Sequence, residues 1–211
     1  MNVTLPPTRT LLVAGALGLA VLAAAAGGWY WYDAQQRRVA AAYAEVMTRV
    51  YAVQSPQAPA DARARAQQEL EQVLARHPSA APVGEAAFEL GNLRYAARQW
   101  APARAAYEIA LARGHSPTVR ALARTSIGYA WEAERDWGKA IEAYQAVGRE
   151  VGPKDFLFDE VLFALARVQE LGGQPADAIT TYQRLLKDAP NSVRVEEAKQ
   201  QLMRLGGKAG K

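Results

Sequence analysis

Ala66, Ala103, Ala140 and Ala178 recur at nearly fixed spacing, 37, 37 and 38 residues apart. Each is followed four residues later by a large apolar side chain, Leu70, Tyr107, Tyr144 and Tyr182. A period of this length, with a small residue and then a bulky one a helical turn away, predicts a stack of helical hairpins. A chain built this way works through a surface rather than through a catalytic pocket.

A second mark precedes each of the last three alanines. Leu90-Gly91, Ile127-Gly128 and Leu165-Ala166 place their aliphatic residue 13 positions before the alanine, so the two helices of each unit meet in one geometry. Gly or Ala at the next position removes bulk where the helices cross, and the alanine receives the bulk of the opposite helix. Trp131 follows Ile127-Gly128, and Pro190 closes the unit of Ala178 and Tyr182. On these residues the chain resembles the tetratricopeptide repeat family over about residues 36–205. The resemblance implies an all-α fold, a tetratricopeptide-type α-solenoid of helical hairpins. The first unit departs most: only Ala66, Leu70, Val73 and Pro78 match, and Pro56 and Pro59 stand where a compact hairpin would turn. The tryptophan favoured early in a repeat is replaced by Ala87, Arg124 and Leu162. A degenerate capping unit followed by three better ones is expected.

Helix punctuation agrees with these boundaries. Gly114 can close one helix in the left-handed conformation, and Ser116 can cap the next with Pro117 in its first turn. Asp155 can cap a helix beginning near Phe156, and Pro102 and Pro175 occupy first-turn positions of second helices. Asn191 or Ser192 can cap a last helix. There Val195, Ala198, Leu202 and Leu205 form one apolar stripe opposite Arg194, Glu197, Gln201 and Arg204, a solvating end to an open stack. The tail 206–211 has no apolar face and is expected to be disordered.

The amino-terminal region is of another kind. From Thr10 to Tyr32 no residue is charged. As a helix this stretch reaches roughly 35 Å, enough to span a hydrocarbon core. A cleaved signal peptide is the competing reading, since Arg9, Leu11 to Ala26 and the small residues Ala24, Ala25 and Ala26 supply its three regions. Against cleavage, Trp29, Tyr30, Trp31 and Tyr32 follow at once, and aromatic residues at the end of an apolar span act as an interface anchor. The expected order is a short tail (1–9), a single transmembrane helix (10–32), a juxtamembrane helix (33–54), the repeats with their capping helix (55–205) and the tail. In the juxtamembrane segment Val39, Tyr43, Val46, Val50 and Val53 fall at helical spacing. A stiff joint between anchor and repeats is expected there, with a hinge at Pro56 to Pro59. The chain has no cysteine, which excludes a lipoprotein anchor, disulfides and thiol chemistry.

A tail, one span, the exit Gly28-Trp29-Tyr30, a Gln- and Arg-rich helix and then repeats is similar to the bacterial ancillary SecYEG translocon subunit family. That resemblance implies an inner-membrane protein with its repeats in the periplasm, near the secretion channel and chaperones. Charge counting does not decide the orientation, because Arg9 stands on one side and Arg37, Arg38 and Asp33 on the other. The string from Tyr182 to Ser192 is similar instead to repeats of outer-membrane assembly and Tol-Pal-associated proteins, which leaves the partner open.

Charge excludes one class of partner. Beyond residue 32 stand 24 basic and 21 acidic residues, and acids punctuate every basic stretch, as in Glu132, Glu134, Arg135 and Asp136. Nucleic-acid binders concentrate their basic residues on one face, so no nucleic-acid partner is expected. Catalytic motifs are equally absent. His77 and His115 sit in inter-repeat loops with no second ligand at metal spacing, Ser126 has no nucleophile elbow, and Gly172-Gly173 lacks a phosphate-loop lysine. No enzymatic role, cofactor, metal or small-molecule substrate is expected.

In the tetratricopeptide family the first helix of each unit lines the concave side. The resemblance places ligand-facing positions at Phe88, Asn92 and Tyr95, at Thr125, Tyr129 and Glu132, and at Phe163, Arg167 and Glu170. Asn92 could hold a ligand backbone, while Tyr129 and the phenylalanines could grip apolar side chains; Phe88 and Phe163 turned inward as core is the other reading. The lysines of the chaperone-tail carboxylate clamp are missing there, which disfavours a free carboxyl terminus as ligand. Two function classes follow. One is a membrane-anchored scaffold binding secreted proteins, chaperones or translocon components as helices or extended peptides. The other is a structural subunit of an envelope machine for outer-membrane assembly, Tol-Pal, secretion or pili.

Overall fold

The computed structural model describes residues 8–55 and 57–206, without the side chains of residues 8 and 10–15. The expected disordered tail, apart from Gly206, and Pro56 of the expected hinge lie outside the described residues. Among those described the chain is all-α. Its helices are α1 (Thr8–Ala52), α2 (Ala60–Arg76), α3 (Val83–Ala96), α4 (Trp100–Arg113), α5 (Pro117–Ala133), α6 (Trp137–Glu150), α7 (Phe158–Leu171), α8 (Pro175–Asp188) and α9 (Val195–Arg204). Each packs mainly on its neighbours in sequence, which is the contact pattern of a solenoid.

The alanine period is explained by packing. Ala103, Ala140 and Ala178 are fully buried, and so are Tyr107, Tyr144 and Tyr182 one turn later. Each tyrosine lies across the small residue of the preceding helix. A Cβ on Gly91 would stand 2.3 Å from the Tyr107 ring, and one on Gly128 would stand 2.5 Å from the Tyr144 ring. Glycine is therefore a steric requirement at both positions. In the next unit Ala166 and Tyr182 share one core cluster.

Helix α1 runs 45 residues without a break, and its two ends live in different surroundings. Leu17, Leu19, Val21, Leu22 and Trp29 to Tyr32 are all more than half exposed, on every side of the helix. Tyr43, Val46 and Val50, with Val53 just beyond, are buried against Ala66, Leu70 and Val73 of α2 and Ala86, Leu90 and Leu93 of α3. The carboxyl-terminal part of α1 is thus the first helix of the first hairpin. The expected boundary at residue 55 falls inside that hairpin, in the turn between α1 and α2. Among the described residues no helix is long and apolar enough to cross a membrane; the expected span includes residues 10–15, whose side chains are not described.

Several caps differ from expectation. Gly114 closes α4 at φ −64° and ψ 122°, extended rather than left-handed. Ser116 stands at the N-cap of α5 ahead of Pro117 but makes no side-chain capping bond. Asp155 accepts from the Gly152 N–H at 2.6 Å and so closes a turn, and α7 begins later, at Phe158. Ser192 accepts from the Arg194 N–H at 3.0 Å, one residue before α9. Asp136 does cap α6, accepting from the Lys139 N–H at 3.2 Å. In α9 Ala198 and Leu202 are buried and Val195 and Leu205 partly so, which makes the expected stripe.

Candidate concave interaction face

Neighbouring first helices touch directly, α1 with α3 and α3 with α5, whereas second helices of successive units make no comparable contact. The outward side of the first helices, which lines the concave side in tetratricopeptide stacks, is the candidate face. Seven of the nine expected groove residues lie part-exposed: Phe88, Asn92, Tyr95, Tyr129, Glu132, Arg167 and Glu170. Thr125 and Phe163 do not. The Thr125 hydroxyl donates to the Ala121 carbonyl at 2.9 Å, which lets it sit buried inside α5. Phe163 is buried edge-on against Tyr182, with the Arg194 guanidinium 4.9 Å above its ring. Phe88 is intermediate, its ring 5.7 Å from Tyr107.

The remaining side chains form a row of bonds that crosses from unit to unit. The Tyr107 hydroxyl donates to Asn92 Oδ1 at 3.0 Å, and Asn92 Nδ2 donates to Glu89 at 3.1 Å, where Gln54 Nε2 also donates at 2.8 Å. One unit on, Tyr144 donates to Glu132 Oε2 at 3.0 Å, and Arg167 Nη2 from the following first helix donates to the same oxygen at 2.9 Å. The Tyr129 hydroxyl donates to Glu160 Oε1 at 2.7 Å, while Arg194 Nε donates to Glu160 Oε2 at 3.0 Å. Arg204 closes the row on Glu170. Glu89, Glu132, Glu160 and Glu170, on the first helices, thereby tie their units to a neighbour.

Burial raises the Glu132 carboxyl above its ordinary range, and Arg167 and the Tyr144 hydroxyl oppose the rise. Tyr129 is raised by burial and by its bond to Glu160. All the ring hydroxyls here are neutral donors at physiological pH. At the amino-terminal end of the face, Val53, Gln54, Arg63, Glu89, Asn92, Leu93 and Ala96 line an open cleft of about 570 Å³. This arrangement offers neutral hydroxyls, amides and half-buried rings to a backbone or side chain. No group of three or more potential metal ligands occurs among the described residues.

A family model for the tetratricopeptide repeat matches residues 160–192, which run from the start of α7 past the end of α8. The chain carries a tetratricopeptide repeat. That match covers the unit in which Leu165-Ala166, Ala178, Tyr182 and Pro190 were read. The other hairpins repeat its packing, Tyr107 over Gly91 and Tyr144 over Gly128. Repeats of this kind generally mediate protein–protein binding, and the match suggests an interaction scaffold. A search of the curated proteins finds no match to the sequence.

Sequence reading missed Gln54, Glu89, Glu160 and Arg194. Gln54 was hidden because residues 33–54 were read as a juxtamembrane helix set apart from the repeats. The other three act through partners that lie 31 to 35 residues away or in another unit, beyond any local spacing.

Proposed function

We propose that the chain is a membrane-anchored scaffold of the bacterial cell envelope, with its repeats in the periplasm and its concave face binding segments of other proteins. The observation that carries this reading is α1. A helix whose apolar side chains are exposed on every side over residues 17–32 needs non-aqueous surroundings, and the uncharged residues 10–15 lengthen that stretch in sequence. The same helix, unbroken, supplies the first wall of the stack, so anchor and repeats move as one piece. The polar-aromatic row from Asn92 to Arg167 supports docking of extended or helical segments. No catalytic role is assigned to it, since its titratable groups are engaged with one another.

A permanent subunit of a larger assembly would bury a broad apolar face. At the free end, however, exposed Met203 on α9 stands among Lys199, Glu196 and Arg204, and exposed Val193 precedes Arg194. Charge interrupts that surface, which favours the scaffold.

Carbonate extraction, protease protection and crosslinking in intact membranes test the reading together. The full chain should remain in the membrane after carbonate, with its repeats cleaved only from the periplasmic side. A mature chain starting near Gly27 would remove the anchor, and cleavage from the cytoplasmic side alone would reverse the orientation. The partner crosslinked through the concave face should be lost on changing Tyr129 and Arg167 together to Ala.

A further inference from the structure

The loops that join one hairpin to the next stand side by side along one edge of the stack. The first two share a cleft lined by Pro78, Ala80, Arg113, His115 and Arg120. The second and third share one lined by Pro117, Arg120, Glu150 and Phe156, and the third and fourth one lined by Phe156, Asp188 and Asn191. Helix α1 fixes where this edge points. The Tyr43 hydroxyl donates to the His77 carbonyl at 3.0 Å, so the end of α2 lies level with residue 43 of α1. Since α1 enters the stack from its exposed apolar segment and the second helices run back, the inter-hairpin loops all face that segment. The turns inside hairpins, at Arg98, Arg135 and Gly173, face away.

Along the facing edge stand Arg76, Arg113, Arg120, Arg149 and Lys154, all exposed and none ion-paired among the described residues. Acids stand on the same edge and most are engaged: Glu150 pairs with Arg124, Asp188 with Arg184, Asp159 accepts from the Ser192 hydroxyl and Asp155 from the Gly152 N–H, while Glu85 stands in the first turn of α3. Cations in a helix's last turn complement its dipole, which accounts for Arg76, Arg113 and Arg149. Arg120, in the first turn of α5, serves the same end across the loop, donating to the carbonyl of Gly114, the C-cap of α4, at 3.2 Å, whereas Lys154, in a loop, serves no helix end. Phe156, 65% exposed, lines the same cleft as Arg120.

We propose that this edge is a second membrane contact, in which the five cations reach toward anionic lipid headgroups. The proposal rests on the anchor reading. Basic clusters beside a span are drawn to anionic leaflets. The reach is adequate. Tyr43 is about 17 Å along α1 from Tyr32. An ordinary helix tilt of about 20°, acting over two hairpins each about 10 Å wide, lowers the outer loops by roughly 7 Å. They then lie about one Debye length from the aromatic anchor. The stack in this arrangement leans over the bilayer rather than standing clear of it.

The cysteine-free sequence permits a direct test on the full chain. Thr118→Cys places an environment-sensitive fluorophore on this edge, and Gln174→Cys places one on the far edge. The chain is reconstituted in phosphatidylcholine vesicles with or without phosphatidylglycerol. A blue shift is expected at position 118 only with phosphatidylglycerol, lost in high salt and lost in the triple variant Arg113→Ala, Arg120→Ala, Arg149→Ala, with no shift at position 174. Carbonate flotation of the same vesicles reads the anchor separately. Release of the chain removes the anchor and with it the orientation this contact requires. An anchored chain whose label at 118 ignores lipid charge, or responds no differently from the label at 174, overturns the edge contact alone.

Discussion

Gly128→Ala should destabilise the chain even though alanine is the better helix former. The added Cβ would meet three atoms of the Tyr144 ring at 2.5, 2.8 and 2.8 Å. Restoring an ordinary contact of about 3.5–4.0 Å requires the ring to move by about 1 Å. Tyr144 has no room to do so: it is fully buried, stands edge-on to Tyr129 at 5.6 Å, and holds Glu132 through its hydroxyl. Helix propensity favours alanine by about 1 kcal/mol, overpacking opposes it by about 1–3 kcal/mol, and a displaced hydrogen bond to a carboxylate adds about 1.5–3 kcal/mol. The net expectation is a loss of roughly 3 kcal/mol. Gly148→Ala is the control, because its Cβ would meet only Val161 Cγ1 at 3.9 Å. There the propensity term stands alone and should stabilise by about 0.5–1 kcal/mol. Denaturant midpoints of the full chain in micelles, at unchanged m, report both values. If Gly128→Ala matches or exceeds the wild type, the close approach of Tyr144 is not what demands glycine.

Ala140→Leu forces methylenes into the buried crossing of α5 and α6 and should cost about 1–3 kcal/mol, whereas Ala105→Leu, on an exposed face of α4, should stay within about 0.5 kcal/mol; equal melting temperatures would contradict the packing. Glu132 titrates higher folded than unfolded, so its ionisation subtracts stability as pH climbs above the ordinary carboxylate range. Glu132→Gln should therefore gain on the wild type between about pH 4 and pH 7, and parallel stability curves for the two proteins would refute the raised carboxyl. Arg167→Ala removes the largest influence opposing that rise and should steepen the fall in stability with pH; a shallower curve would mean the pair is not formed. Changing Tyr129 and Arg167 together to Ala should abolish the crosslink to the concave-face partner while the repeats remain folded by circular dichroism, and full crosslinking by the folded variant would move the interface elsewhere.

What the sequence made legible was what a local period can encode. A small residue and a tyrosine one turn apart repeat because the same crossing repeats, and the structure places Tyr107 on Gly91 and Tyr144 on Gly128 as that spacing requires. The first hairpin escaped for a physical reason. Its turn spans residues 53–59, whereas the other hairpins turn over residues 97–99, 134–136 and 172–174, so its first helix is displaced from the fixed spacing to Ala66. Leu70 stands there in place of tyrosine, and no glycine was needed to announce the partner helix. Thr125 and Phe163 were misplaced because family position fixes the side of a helix but not whether a hydroxyl finds its own backbone or a ring finds Tyr182. The bonds that shape the concave face escaped because they join separate units, Tyr129 to Glu160 across 31 residues and Arg167 to Glu132 across 35. Those same bonds bear on binding. A partner that takes Tyr129 or Arg167 must compete with Glu160 or Glu132 for them, and leaving either carboxylate half-buried without its donor is unfavourable. Ligands that offer an acceptor to the other N–H groups of Arg167 or a donor to the Tyr129 oxygen, and leave the inter-unit bonds in place, are the ones this face favours.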